Sequence, residues 1–109
     1  MEFLSEQKRA ALAELCREYG VVRLEVFGSA ARGHDFGPDS DVDLLVRFAA
    51  GVNLGPWLSR YFELKERLEA LLGRRVDLIT DGGQLKPRFL EAIRNDRVLL
   101  YGEQNQAVA

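Results

Sequence analysis

The stretch GSAARG at residues 28–33, followed by SDVDLLV at residues 40–46, decides how this chain folds and what chemistry it can carry. It places a tight turn of small residues upstream of two aspartates, Asp41 and Asp43, on a predicted strand. Alternate side chains of a strand point to the same face, so the two carboxylates lie on one side with Cα atoms about 6.5 Å apart. At about 4 Å between carboxylates, their repulsion would cost on the order of 4 kcal/mol. Because a divalent cation would offset that cost, the pair predicts a metal site.

The composition is that of an ordinary globular protein with one core. Of the 109 residues, 47% are apolar and 29% are charged, which suits a single domain. The net charge of -2 gives no general attraction to nucleic acid, so nucleic acid is not expected as a direct substrate. A single cysteine, Cys16, excludes an internal disulfide. With no apolar run of about 18 residues and no signal-peptide pattern, we expect a cytoplasmic protein without a membrane partner.

Helical and strand periodicities alternate along the chain. They predict an α/β fold, a small sheet with helices packed on it. The connection between the first two strands is too short for a crossover helix, so these strands are expected to be antiparallel neighbours in a mixed sheet. Residues 1–102 are expected to form the single domain and 103–109 a frayed tail. Helices are predicted over 5–19, 29–33, 57–72 and 86–95, and strands over 21–27 (with Val22, Leu24 and Val26 on one face), 41–48, 75–80 and 98–101.

A third carboxylate, Asp77, interrupts the otherwise apolar third strand, where an unpaired acid would be costly to bury. If that strand lies beside the one carrying Asp41 and Asp43, three carboxylates meet on one sheet face. Clusters of oxygen ligands select hard cations such as Mg²⁺. Such ions can activate an attacking hydroxyl and stabilise a leaving pyrophosphate. The alternative is that these acids are strand-end charges, solvated or paired with Arg74 or Arg75.

The small-residue turn predicts a binding site for phosphates. Gly28 permits a positive φ and a close backbone approach to a ligand, and Ser29 adds a hydroxyl. A helix beginning there would direct its free N–H groups at a phosphate. Between a strand and an acid pair, the turn therefore predicts a cradle for a triphosphate. Arg32 could neutralise charge on the phosphates, and the alternative is a solvated surface arginine.

Other side chains favour structural roles. Trp57, Tyr61 and Phe62 stand at helical spacing and are predicted to pack against the core, or else to form an interface. Cys16 lies on the apolar face of the first helix and is predicted to be buried. The basic residues at 86, 88, 94 and 97 predict a solvated face.

The turn and the Asp-x-Asp strand together resemble the signature of the polymerase-beta-type nucleotidyltransferases, most closely the minimal members from bacteria and archaea. In that family a Gly-Ser turn precedes an Asp-x-Asp strand, and a later strand supplies a third acid. The resemblance implies a palm-like fold, with Gly28 and Ser29 on the nucleotide phosphates and Asp41 and Asp43 as Mg²⁺ ligands. Asp77 matches the third acid of that set, which helps to activate the acceptor hydroxyl.

The same resemblance implies Mg²⁺-dependent transfer of a nucleoside monophosphate, AMP from ATP, to a hydroxyl. Larger members carry an additional domain for the acceptor, for which a chain of this length leaves no room, so the acceptor is expected to come with a partner protein. Minimal members commonly act as antitoxins of small helical HEPN toxins, and some transfer AMP to a toxin tyrosine. The alternative is a non-catalytic antitoxin that blocks its partner by contact. Transfer to a small molecule is a third, less favoured reading.

Overall fold

The computed structural model describes residues 4–28, 40–80 and 97–102. Two helices and four strands lie in this part of the chain. In chain order they are α1 (Glu6–Tyr19), β1 (Val21–Phe27), β2 (Val42–Phe48), α2 (Ser59–Leu72), β3 (Val76–Thr80) and β4 (Val98–Tyr101), with a 3-10 turn at Pro56–Leu58 before α2.

Three predictions from the sequence fall outside the described residues. They are the short helix at 29–33, the helix at 86–95 and the frayed tail at 103–109. The single-domain assignment over 1–102 therefore stays a prediction. Among the residues that are described, no helix has the length and apolar character to cross a membrane.

Helix α1 has the boundaries that its sequence predicts. The Ser5 side chain accepts a hydrogen bond from the Lys8 amide at 3.2 Å, which satisfies one of the free N–H groups of the first turn. Gly20 ends the helix with φ 74°, a left-handed conformation that glycine adopts without a steric penalty. The apolar face of the helix is buried, as predicted, through Leu12, Leu15, Cys16 and Tyr19.

The four strands form one mixed sheet in the order β3-β2-β1-β4. Strand β1 is antiparallel to both β2 and β4, whereas β2 and β3 are parallel. The predicted antiparallel pairing of the first two strands, and with it the mixed sheet, is confirmed. Both helices pack on one face of this sheet, where the fully buried side chains include Val42, Leu44, Val46, Leu64 and Leu68.

Tyr19 connects the two helices. Its hydroxyl donates to Glu63 of α2 and accepts a hydrogen bond from Arg67 Nη1 at 3.1 Å. The guanidinium of Arg60 lies 4.6 Å from the centre of the Tyr19 ring, within the range of a cation–π contact. Helix α2 is therefore fixed to α1 by directional contacts as well as by apolar packing.

The start of α2 differs from the prediction, which began the helix at Trp57. Trp57 and Leu58 have φ of 56° and 57°, a left-handed backbone that interrupts a right-handed helix. The α-helix consequently begins at Ser59, and Trp57 does not share the buried face of Tyr61. The Trp57 side chain is 95% exposed and that of Phe62 is 53% exposed. Predicted packing against the core is therefore wrong for these two aromatics, while Tyr61 does pack against the core.

A register shift in β1 also changes which valine faces the helices. The pairing with β2 is irregular between Val21 and Arg23, and an extra residue of this kind reverses the alternation of side chains. Val21 joins the core with Leu24 and Val26. The prediction that Val22 shares one face with Leu24 and Val26 is therefore wrong.

The sheet face opposite the helices carries a buried carboxylate at Glu25, which is 4% exposed. Arg97 donates to it twice, from Nη2 at 2.7 Å and from Nε at 3.0 Å. Arg23 Nε donates to the same carboxylate at 3.1 Å. Burial opposes ionisation, but the two arginines outweigh it and lower the pKa of Glu25. Arg97 thus belongs to an ion cluster, and its predicted place in a solvated basic face is wrong.

Candidate active site

Strands β2 and β3 bring Asp43 and Asp77 together. The two residues are direct register partners in the parallel pair, and the next partners on that face are Leu45 and Ile79. Leu45 and Phe27 are buried on this face and Ile79 packs against them. The candidate site is therefore a pair of neighbouring carboxylates beside a small apolar cluster, on the face opposite the helices.

The electrostatics of the pair are unfavourable without a cation. Burial, followed by the negative charges of Asp77 and Asp41, raises the pKa of Asp43. A carboxyl group close to two other negative charges is harder to ionise. The repulsion that the sequence predicts therefore contributes, after burial, to the raised pKa of Asp43.

Asp41 lies just before β2 and, unlike Asp43, is paired with an arginine. Its Oδ1 is 3.2 Å from Arg75 Nε, in a pair with both side chains largely solvent-exposed. This is the ion pair that the sequence left open as an alternative. Exposed pairs of this kind contribute little, so a cation could replace the arginine. The part of the chain that the structure describes holds no group of three or more His, Cys, Asp or Glu side chains placed to hold a metal ion.

Gly28, the first residue of the predicted turn, lies against Asp43. It follows β1 with φ +72°, and a Cβ added to it would lie 2.6 Å from Asp43 Oδ2. Only glycine leaves room for the carboxylate at this position. Gly28 and Asp43 are therefore adjacent. Ser29 and Arg32 lie outside the described residues, and their phosphate contacts stay predictions.

Replacing Gly28 with alanine is expected to lower nucleotidyl transfer at least about tenfold. The new methyl group must displace the Asp43 carboxylate, and the positive φ adds about 1 kcal/mol of strain. Gly51→Ala is the matched control, since Gly51 has φ +77° and a Cβ added there would meet nothing within 4 Å. Steady-state rates and thermal unfolding of both variants separate the displacement of Asp43 from the backbone strain, which both variants share. Equal activity losses in the two variants would show that contact with Asp43 is irrelevant.

The chemistry of the donor set fits Mg²⁺. Asp43 and Asp77 provide only oxygen ligands, and the charge of Asp77 adds to the effect of burial in raising the pKa of Asp43. Mg²⁺ is bound by one or two carboxylates together with waters and substrate phosphates. A pair of carboxylates meets that requirement without a full protein cage, because waters and substrate phosphates supply the other ligands.

Sequence reasoning missed the Glu25 cluster next to this site. The signal was available, because Glu25 is a single acid in the apolar strand VVRLEVF, the same pattern that singles out Asp77. Its partner Arg97 is distant in sequence and has no pattern of its own. Glu25 is the register partner of Leu45, which follows Asp43 by two residues in β2. The cluster therefore lies on the same sheet face as the acid pair and supports that face.

Residues 8–100 match the sequence model of the nucleotidyltransferase domain family. The protein adenylyltransferase MntA of Thermococcus cleftensis is 50% identical over 66 residues, which are 61% of this chain and 62% of that protein. This match spans less than two thirds of the relative's length.

Two solved structures share the fold. A candidate minimal nucleotidyltransferase is 42% identical with a TM-score of 0.68, over 84% of this chain and 88% of that one. The second is a complex, the tri-AMPylated Shewanella oneidensis HEPN toxin with MNT antitoxin. One chain of that complex matches with a TM-score of 0.64 at 18% identity, over 94% of this chain and 76% of that one. At that identity the likeness concerns the fold alone. The mixed sheet, the paired acids and the match over residues 8–100 lead to one conclusion: this chain belongs to the nucleotidyltransferase domain family.

Proposed function

We propose that this protein is a Mg²⁺-dependent protein adenylyltransferase, which transfers AMP from ATP to a hydroxyl of a small helical HEPN-type toxin and thereby acts as its antitoxin. The observation that carries the proposal is the register pairing of Asp43 with Asp77 beside Gly28. The relative named as a protein adenylyltransferase and the fold shared with a complex containing an AMPylated HEPN toxin support the choice of reaction and partner. ATP-dependent modification of such a toxin belongs in the cytoplasm.

The proposed reaction divides its work between the acids and the turn. Asp41, Asp43 and Asp77 would hold Mg²⁺, and Gly28 with Ser29 and Arg32 would hold the triphosphate. When bound, Mg²⁺ supplies charge neutralisation at the α-phosphate and the leaving pyrophosphate.

Asp77 is the general base in this proposal. It accepts the proton of the acceptor hydroxyl as that oxygen bonds to the α-phosphorus. The bond between the α- and β-phosphates breaks in the same displacement, and pyrophosphate leaves. Rate enhancement comes mainly from positioning and from charge stabilisation by these fixed groups.

Incubation of the protein and its partner with ATP labelled at the α-phosphate tests the proposal. With Mg²⁺, the wild type is expected to label the partner, and Asp43→Asn is expected to leave it unlabelled. Glu66→Gln is the control, because it makes the same chemical change at an exposed position of α2. Equal labelling by Asp43→Asn and the wild type would place the catalysis elsewhere.

A non-catalytic antitoxin is the second candidate. The observation in its favour is the exposure of large apolar side chains before and on α2, namely Trp57 (95%), Phe62 (53%) and Leu58 (51%). Exposed apolar surface of this kind is typical of protein contacts. Co-expression with the toxin separates the candidates. The double variant Asp41→Asn/Asp43→Asn still protects growth if contact alone suffices, and fails to protect if AMP transfer is required.

A further inference from the structure

The outer edge of β3 is hydrogen-bonded to two side chains of α2. Glu69 Oε2 accepts from the Val76 amide at 3.0 Å, and the Tyr61 hydroxyl donates to the Leu78 carbonyl. Strand β3 stands at the end of the described sheet, where backbone groups on the outer side have no strand partner. We call Tyr61 and Glu69 the edge anchors, since they take the place of that missing strand.

The anchored residues are the two neighbours of Asp77. Successive residues of a strand direct their backbone groups to opposite sides. The Arg75 carbonyl accepts from the Val42 amide at 2.9 Å, so Arg75 and Asp77 face β2 while Val76 and Leu78 face outward. Asp77 is therefore paired with β2 on one side and flanked by residues bonded to α2 on the other.

The anchors form one row on α2. Tyr61, Lys65 and Glu69 are spaced by four residues and so share one side of the helix. Lys65 Nζ lies 3.3 Å from Glu69 Oε2, which holds that carboxylate in place for the Val76 amide. Burial and the charge of Asp77 raise the pKa of Tyr61 against the opposing effect of Lys65, so the hydroxyl keeps its proton and remains a donor.

We propose that Tyr61 and Glu69 are positioning residues for the nucleotidyl-transfer reaction: by fixing the backbone on both sides of Asp77, they hold its carboxylate beside Asp43. This inference rests on the proposed function, in which Asp77 is a metal ligand and general base. Groups that orient metal ligands typically change metal affinity or activity about 10- to 100-fold when they are removed. Misplacement of a reacting group by about 1 Å has effects of similar size.

The variants that test this proposal each remove one contact. Tyr61→Phe keeps the ring and removes the hydroxyl, and Glu69→Ala removes the acceptor for the Val76 amide. Glu69→Gln is the conservative rescue, because its amide oxygen can still accept that bond. Tyr19→Phe is the matched control, since it also removes a tyrosine hydroxyl bonded to α2, but one whose partners, Glu63 and Arg67, are side chains of α2 and not the backbone of β3.

Three measurements report on the anchors. The first is kcat and KM for AMP transfer to the partner. The second is the Mg²⁺ concentration that gives half-maximal calorimetric binding of ATP. The third is amide hydrogen exchange at Val76 in the metal-free protein. Tyr61→Phe and Glu69→Ala are each expected to lower kcat about tenfold or more and to raise the Mg²⁺ concentration needed for half-maximal binding of ATP. At saturating Mg²⁺, the KM for ATP should stay within about twofold of the wild-type value. Of these variants, only Glu69→Ala should speed amide hydrogen exchange at Val76. Glu69→Gln should keep exchange at Val76 close to the slow rate of the wild type.

Either of two results overturns the proposal. If Tyr61→Phe and Glu69→Ala lose no more kcat than Tyr19→Phe while the wild type is active and Asp43→Asn is not, the anchors have only a structural role and the proposed function stands. If the wild type transfers no AMP and binds no ATP with Mg²⁺, the proposed function fails and the positioning role fails with it. The exchange measurement still shows in that case whether α2 holds β3.

Discussion

Replacing Asp43 with asparagine is expected to abolish AMP transfer and, at the same time, to make the metal-free protein more stable. The pKa of Asp43 is raised by burial and by the charges of Asp77 and Asp41, so the folded state holds its proton more tightly than the unfolded state does. Ionisation therefore costs stability, and the cost grows as pH rises from the ordinary pKa of an aspartate and is complete above the raised pKa. Asparagine removes that cost.

The expected stability gain is on the order of 1 kcal/mol, because Asp43 is partly solvated and its repulsion is screened. For a domain of this size, that corresponds to a rise in Tm of about 4 °C. Transfer should fall about 10³-fold, as expected when charge stabilisation at the reacting phosphate is lost. Mg²⁺ should raise the Tm of the wild type and leave that of Asp43→Asn unchanged.

Asp41→Asn serves as the control for these thermal measurements. It removes an exposed ion pair with Arg75, so the metal-free Tm should change by only about 1 to 2 °C. A lower metal-free Tm for Asp43→Asn than for the wild type would mean that Asp43 stabilises the fold, contrary to the repulsion described above.

Replacing Glu25 with alanine is expected to destabilise the protein more than any surface substitution. Glu25 is buried and is the shared acceptor of Arg97 and Arg23. Removing one partner of a buried ion cluster costs about 3 kcal/mol, or a fall in Tm of roughly 12 °C or more. Denaturant unfolding measures the loss directly. Glu18→Ala is the control, since it removes an exposed ion pair with Arg67 and should cost less than about 1 kcal/mol.

The contribution of Glu25 to the free energy of unfolding should also decrease at low pH. The folded-state pKa of Glu25 lies below its ordinary value of 4.5, so its contribution is present above that value and is lost as pH falls through the lowered pKa. The stability difference between the wild type and Glu25→Gln should therefore shrink on acidification. A difference that grows at low pH, or losses of equal size for Glu25→Ala and Glu18→Ala, would show that the buried cluster does not support the sheet.

The strands that carry Asp43 and Asp77 could be predicted because local patterns determine them. Each acid interrupts an apolar strand, and the period of two in a strand places Asp43 opposite Val42 and Leu44. The short connection after β1 requires an antiparallel neighbour. The mixed sheet follows from these two facts, whereas the adjacency of the acids also requires β3 to lie beside β2, which the sequence left as a condition and the structure shows.

Other features depend on the relative placement of distant elements, and no spacing in the sequence encodes them. The spacing of Trp57 suits a continuous helix, but the left-handed backbone at Trp57 and Leu58 turns its side chain to solvent. The bonds from Tyr61 and Glu69 to β3 require a particular position of α2 beside the sheet edge. The ion pair of Asp41 with Arg75 was one of the alternatives to a metal site, beside a solvated acid or a pair with Arg74, since the charges alone do not choose between a cation, solvent and an arginine.

Calorimetric titration of the metal-free protein with ATP, with and without Mg²⁺, tests most directly whether the paired carboxylates form a site for metal and nucleotide. We expect heat of binding only when Mg²⁺ is present, and none for the variants Asp43→Asn and Asp77→Asn. Binding of ATP that is the same with and without Mg²⁺, or that survives in both variants, would contradict the assignment of this site.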